Sequence, residues 1–293
     1  MSEGKESHAR GHVLKGCIAL CAIVPSTIFC CLAIYVAALF RLISPLRKLR
    51  DALTGFMDGV ISAWVGVNSW LLDTLRLIEI EIDVDGSLSD RDHWWVVVSN
   101  HQSWSDVIAI QVALLRLAPP IKFVTKRELI WVPFVGLAMW LLRFPYVRRF
   151  SREAARRDRS LFDKNRRAMD RAAQQFLQRP ISVLTFLEGT RFTETKHSKQ
   201  HSPFKHLLNP RTGGLAFVLD ALGPKASRIV DLTLNYEGTV PGFWELLCGR
   251  CRKVSLSVRS IEVTDEFKSD LKTSVIELWK HKDAEISQFR SQE

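Results

Sequence analysis

The sequence predicts an α/β fold: a mostly parallel or mixed sheet flanked by helices, preceded by an N-terminal membrane-anchoring helical segment. Three observations carry this. Short β-branched runs alternate with helical patterns between residues 78 and 263. Two of those runs end in clusters of polar, chemistry-bearing residues, where an α/β sheet places its ligands. A charge-free apolar stretch stands ahead of them all, at residues 16–40.

That first stretch is long enough to cross a hydrocarbon core of about 30 Å as a helix. A secretory signal has a shorter apolar region and a small-residue cleavage site, so residues 16–40 read as a retained anchor. Pro25, followed by Ser26 and Thr27, is a place for a bend, which leaves a single-leaflet helix open beside a full span. Lys5, Arg10 and Lys15 precede the stretch and Arg41, Arg47, Lys48 and Arg50 follow it, so basic residues do not orient it. A second apolar run, 59–72, is too short to span and carries Trp64 and Trp70. It reads equally as an interfacial helix or a buried core helix. The chain therefore divides into residues 1–75, anchor and interfacial helix, and residues 76–293, the globular part.

In the globular part Ile78, Ile80, Ile82 and Val84 alternate with acidic residues, the period of a half-buried strand, and Asp85-Gly86 is a turn signal. Residues 94–99 are a continuous apolar run and read as a fully buried strand. A helix follows over 107–117, stopped by Pro119 and Pro120. Further strands are expected at 121–124, 181–187, 229–236 and 254–263. Helical spacing of Leu161, Ala168, Ala172 and Phe176 predicts an amphipathic helix over 161–178 with a basic outer face.

The net charge of +10 points to an anionic partner. Between residues 148 and 179 stand eleven basic and four acidic residues, so much of the excess lies in one segment. Beside an anchor, this favours anionic lipid over nucleic acid, for which aromatics would be interleaved with the basic residues. Four of the six cysteines lie inside the anchor and act as small apolar residues, while Cys248 and Cys251 lack the second ligand pair of a zinc site. No metal site is expected.

The run Asn-His-Gln-Ser-Trp-Ser-Asp at 100–106 directly follows the buried strand. A carboxylate five residues beyond a histidine can fold back across a turn, hold one imidazole nitrogen and leave the other as a base. No Gly-x-Ser-x-Gly elbow surrounds Ser103, so the nucleophile is expected to come from the substrate. A second strand end carries Glu188-Gly189-Thr190-Arg191. Here glycine permits close backbone approach and arginine offers a planar fork for phosphate.

Together these motifs resemble the glycerolipid acyltransferases typified by 1-acylglycerol-3-phosphate (lysophosphatidate) acyltransferases. Asn100, His101, Ser103 and Asp106 match the family's first motif, and Glu188 to Arg191 match another in full. The resemblance extends to Lys126-Arg127-Glu128-Leu129, Val132-Pro133-Phe134-Val135-Gly136 and the pair Arg148-Arg149. Phe144-Pro145-Tyr146-Val147 and the arginines after it look closest to a bacterial inner-membrane subgroup. At 229–233, where the family usually has a proline-containing motif, this chain reads Ile-Val-Asp-Leu-Thr.

The resemblance implies that residues 76–293 form an acyltransferase domain. It would move a fatty acyl group from acyl-CoA or acyl carrier protein to the free hydroxyl of lysophosphatidate, giving phosphatidate for phospholipid synthesis. His101 would be the base and Asp106 its orienting carboxylate. Arg191 and Arg149 would hold the acceptor phosphate, Glu188 its glycerol hydroxyls, and backbone N–H groups near Gly189, with Lys126, the oxyanion; Thr190 would also bind substrate. No bound cofactor is implied. Remodelling of another lysolipid, such as lysophosphatidylinositol or lysophosphatidylglycerol, and non-catalytic lipid binding are the alternatives. The implied location is a bacterial inner membrane, with the catalytic part on the cytoplasmic side.

Overall fold

A computed structural model describes residues 2–85, 88, 92–147, 167 and 177–291. The expected helix over 161–178, the basic segment around it and Arg149 lie almost wholly outside the described residues.

Helix α1 (Ser2–Ile43) runs without interruption through Pro25. A helical proline lacks the N–H its turn expects, and nearby the Ser26 and Thr27 hydroxyls both donate to Ile23 O, at 2.9 and 2.7 Å. Trp64 Nε1 donates to Thr27 Oγ1 at 2.9 Å and ties this turn to α2 (Arg47–Thr74). The second helix is thus twice as long as the apolar run 59–72 indicated, because the charged residues that precede the run are themselves good helix formers. It buries Met57, Val65, Leu71 and Leu72 and leaves Phe56 and Trp70 exposed. Residues Gly11–Ile43 of α1 are long and apolar enough to cross a membrane by length and composition. One face of this helix is nevertheless built into the protein, since Ala19 and Ile23 share a core with sheet residues Val97 and Leu234.

The main sheet contains β1 (Glu79–Val84), β2 (Trp95–Ser99), β3 (Ile121–Phe123), β6 (Ser182–Phe186), β7 (Arg228–Tyr236) and β8 (Lys253–Glu262), in the order β1-β8-β7-β2-β6-β3. All pairings are parallel except β7 with β8. A separate two-stranded ladder pairs β4 (Thr125–Lys126) with β5 (Tyr146–Val147).

Alternation along β2 shows how the layers form. Trp95 and Val97 face one core with α3 (Ser105–Leu114), whereas Val96 and Val98 face the other. That second core holds α6 (Gly213–Leu222), α8 (Asp265–Ser269) and α9 (Leu271–Ser291). With both faces covered, every residue of β2 is buried, as its unbroken apolar run requires. β1 is half-buried as its alternation predicts: Ile80 and Val84 pack on the first core beside buried Ile78, while at this edge position Ile82 is exposed. The remaining helices are short: α4 (Val135–Leu141), α5 (Glu194–Gln200) and α7 (Phe243–Leu247).

β2 sits between β7 and β6, and the chain leaves it for opposite sides of the sheet at different times. This makes the carboxyl ends of β2 and β6 a switch point. Ser99 and Phe186 are register partners there, so the two polar strand ends predicted from sequence emerge side by side.

Candidate active site

Asn100 fixes the exit of β2. Its side chain is fully buried; Nδ2 donates to Leu234 O at 2.8 Å and Oδ1 accepts from Leu234 N at 2.9 Å. The reciprocal pair clips the turn to β7.

His101 Nδ1 lies 2.8 Å from Asp106 Oδ2. The same oxygen accepts from the backbone of Gln102 at 2.6 Å and Ser103 at 2.9 Å, while Oδ1 accepts from Tyr236 Oη at 2.9 Å. Asp106 is 0% exposed, yet all its neighbours at hydrogen-bonding distance are donors, which is what makes burying a carboxylate tolerable. The imidazole stacks on Phe186 at 4.0 Å and 16°, so ring tilt and ring position are both set. Among the described residues nothing hydrogen-bonds Nε2, the nitrogen left for a substrate. Burial, with the charge of Asp106 second, raises the Tyr236 phenol well above its ordinary value, so it is a donor at all working pH.

The motif's serines look inward. Ser103 Oγ donates to Pro241 O, as does Ser105 Oγ at 3.2 Å, fastening the turn to the loop before α7. Ser103 is therefore placed as a structural residue.

The second strand end splits in two. Glu188 is 0% exposed; Oε1 accepts from His101 N at 2.9 Å and Oε2 from Leu208 N at 3.2 Å. These two backbone contacts brace the turn after β2 against the loop at 205–208. Burial pushes its carboxyl up to about 8, against the pull of the two backbone N–H groups, and the nearby charge of Asp106 pushes the same way. Gly189 adopts φ of +67°, and its N–H closes a turn on Phe186 O at 2.9 Å. That N–H is spent on the turn. A side chain there would meet Arg211 at 3.3 Å. Thr190 Oγ1 accepts from Lys196 Nζ at 3.0 Å, and the same amine donates to Arg191 O at 2.8 Å. Arg191 itself is exposed, its guanidinium 5.0 Å above the Trp104 ring. Lys126 is exposed on the separate β4–β5 ladder.

Sequence reading missed Tyr236, Phe186 and the support from α9. Trp279 Nε1 donates to Leu208 O at 3.0 Å, and Asp283 accepts from Lys205 N and His206 N at 2.8 and 2.7 Å. The helix thereby holds the loop that presents Leu208 to Glu188. Lys282, fully buried, bridges to Asp231 at 2.7 Å and Leu232 O at 2.8 Å, and Arg259 reaches the other Asp231 oxygen at 2.7 Å. Asp231 is thus an anchor for α9, which accounts for a carboxylate in the stretch 229–233. Among the described residues no group of His, Cys, Asp and Glu is arranged to hold a metal, and Cys248 and Cys251 are buried free thiols.

An apolar cavity of about 620 Å³ lies beside the site. It is lined by residues of the α1–α2 hairpin, α3 and α4, among them Ile34, Trp64, Val107 and Met139, and by Trp104 of the turn after β2.

Comparison with known proteins adds the following. The chain is 32% identical over 153 residues to 1-acyl-sn-glycerol-3-phosphate acyltransferase gamma of Mus musculus, covering 49% of this chain and 38% of that one. It is 24% identical over 198 residues to lysocardiolipin acyltransferase 1 of Danio rerio, covering 63% and 48% respectively. The alignments thus span less than half the length of these relatives. Among solved structures, the 1-acyl-sn-glycerophosphate (LPA) acyltransferase PlsC of Thermotoga maritima aligns with a TM-score of 0.49 and 18% identity, over 90% of this chain and 98% of that one. A family profile described as Acyltransferase matches residues 81–231, just over half of the chain, and this stretch contains both strand-end turns; the chain belongs to the acyltransferase family.

Proposed function

We propose that this protein transfers a fatty acyl group from acyl-CoA or acyl carrier protein to the free hydroxyl of lysophosphatidate. The observation that carries the reading is the placement of His101. Its Nδ1 is fixed by a buried carboxylate, and its other nitrogen is left for substrate beside an exposed arginine and an apolar cavity. In the step we propose, Nε2 takes the hydroxyl proton of the acceptor and the resulting alkoxide oxygen attacks the thioester carbonyl. The C–S bond breaks as the ester forms, and the proton on Nε2 passes to the leaving thiolate. Asp106 holds Nδ1–H throughout. Arg191 grips the acceptor phosphate with two parallel hydrogen bonds, Lys126 serves the oxyanion, and the cavity takes an acyl chain.

The same reading keeps residues 1–75 at a membrane and residues 76–293 as the catalytic part, on the cytoplasmic side of a bacterial inner membrane. The apolar outer face of α1 supports the attachment. A second reading, transfer to another lysolipid with a larger headgroup, is favoured by the relative named for lysocardiolipin.

The deciding experiment supplies purified full-length protein with a panel of lysolipids and either thioester, and reads product masses. Phosphatidate formed fastest from lysophosphatidate supports the proposal. A preference for a diester-phosphate lysolipid establishes the second reading, and no product with any acceptor overturns both.

A further inference from the structure

Among the described residues outside the first two helices, five large exposed apolar side chains lie within one stretch of ten residues. Trp131 is 84% exposed, and Val132, Phe134, Leu137 and Trp140 are exposed with it. The opposite side of this stretch is already occupied, since Ala138, Met139 and Leu142 share a core with Cys31, Ile34 and Ala37 of α1. A short surface helix normally keeps one face polar, whereas α4 is apolar on both. Phe134, Leu137 and Trp140, three apart, form its outer ridge.

The backbone holds that ridge outward under strain. Phe134 has φ 62° and ψ −59°, and Val135 N donates to Pro133 O at 2.7 Å, the geometry of a tight three-residue turn that L-residues rarely adopt. Gly136 has no room for a side chain, since a Cβ there would lie 2.1 Å from Ile130 O. Tyr35 Oη donates to Phe134 O and fixes the turn to α1. One helical turn to either side of Tyr35 stand Leu32 and Leu39, both exposed, so the ridge continues directly from the outer face of α1. Arg127 and Arg143 flank the ridge and are exposed; the Arg143 guanidinium lies 5.8 Å over the Trp140 ring.

Apolar and aromatic bulk, bracketed by cations and continuous with a helix apolar enough for lipid, matches one occupant: a phospholipid leaflet with anionic headgroups. We propose that residues 127–143 are a second membrane-entering element. Trp131, Phe134, Leu137 and Trp140 sit among the upper acyl chains, and Arg127 and Arg143 at the level of the phosphates. Leu129, Val132 and Val135 line the apolar cavity from the inner side of this same segment. On the function proposed above, the lip therefore sets the cavity's entrance at lipid depth, and acyl chains need not cross water to enter.

The test compares full-length wild type with Trp131→Phe, a swap that keeps bulk at an exposed position. Both are placed in nanodiscs of phosphatidylethanolamine and phosphatidylglycerol, and the difference in tryptophan emission isolates Trp131. Loss of most of that emission with lipids brominated near the top of the chain, and little loss with aqueous iodide, supports the proposal. Quenching by iodide alone overturns it, and so does protection from both quenchers, the result expected were a protein partner to cover the lip. This readout needs no turnover and stands apart from the acyltransfer assay. Given turnover, Trp131→Asp should raise the apparent KM for a vesicle-embedded acceptor several-fold, with no change for a short-chain acceptor dissolved in water. Equal effects on both would assign Trp131 to folding and overturn the lip.

Discussion

Two turns leave neighbouring parallel strands at the same end of the sheet, and they are built in opposite ways. After β2 the whole motif folds inward: four donors converge on Asp106, both serines fasten to the loop at 241–242, and one imidazole nitrogen is left over. After β6 the motif divides, with Glu188 buried against backbone and Arg191 exposed above Trp104. The first turn is a rigid mount for a single atom. The second is a brace on the inside and an open hand on the outside. Residues adjacent in a motif therefore do unlike work, and substitution should separate them.

The largest effect belongs to the one atom the first turn leaves free. His101→Ala should lower acyl transfer by about 10²- to 10⁴-fold, the usual contribution of a base, while thermal unfolding barely moves. A mutant with wild-type turnover would break the comparison at its root. Asp106→Asn should follow, with a loss on the order of a hundredfold, because the amide cannot accept from all four donors and leaves the ring free to turn. Tyr236→Phe tests the same support more gently. A hydrogen bond to a charged group contributes about 1.5–3 kcal/mol, so its removal should cost turnover with little change in KM. An unchanged rate would make Tyr236 a packing residue only.

At the open hand, Arg191→Lys should raise the apparent KM for the lysolipid roughly tenfold and leave that for the thioester near its original value, since an ammonium cannot reproduce two parallel hydrogen bonds. Equal defects for both substrates would move Arg191 away from the acceptor. A separate effect falls on stability rather than on turnover. Glu188 holds its proton up to about 8 in the folded protein but releases it near 4.5 when unfolded. The folded state therefore binds more protons in that window, and stability should be full below 4.5 and decline as pH rises toward 8. Glu188→Gln should flatten this decline in thermal melts taken across the same range. A wild-type melt independent of pH would mean that Glu188 is ionised in place.

The layered fold was legible because burial on both faces leaves an unmistakable mark: residues 95–98 are apolar without a break, and Val230, Leu232 and Leu234 keep one face of β7 apolar. His101 and Asp106 were legible because five residues is the reach of one turn. The backbone partner of Glu188 at Leu208 was not legible, because the loop at 205–208 comes to it only through the packing of α9. Tyr236 had no signal, since an aromatic at the end of an apolar strand is ordinary, and its partner stands 130 residues away. The edge placement of β1 was equally hidden, because its pairing with β8 depends on which strands arrive last.

That pairing also imposes a timetable on synthesis. Glu79 has its register partner at Lys253, and among the described residues β1 pairs with no other strand of the sheet. A ribosome adding about 5–20 residues per second completes the apolar helix well before it delivers the strand that closes this edge. Until then Ala19 and Ile23 have no finished core to enter. Trp279 and Asp283, which secure the loop beneath Glu188, emerge later still. In chain order the apolar helix thus comes before β8 and α9, and the braces around the turn at 101–106 are complete only once α9 has been made.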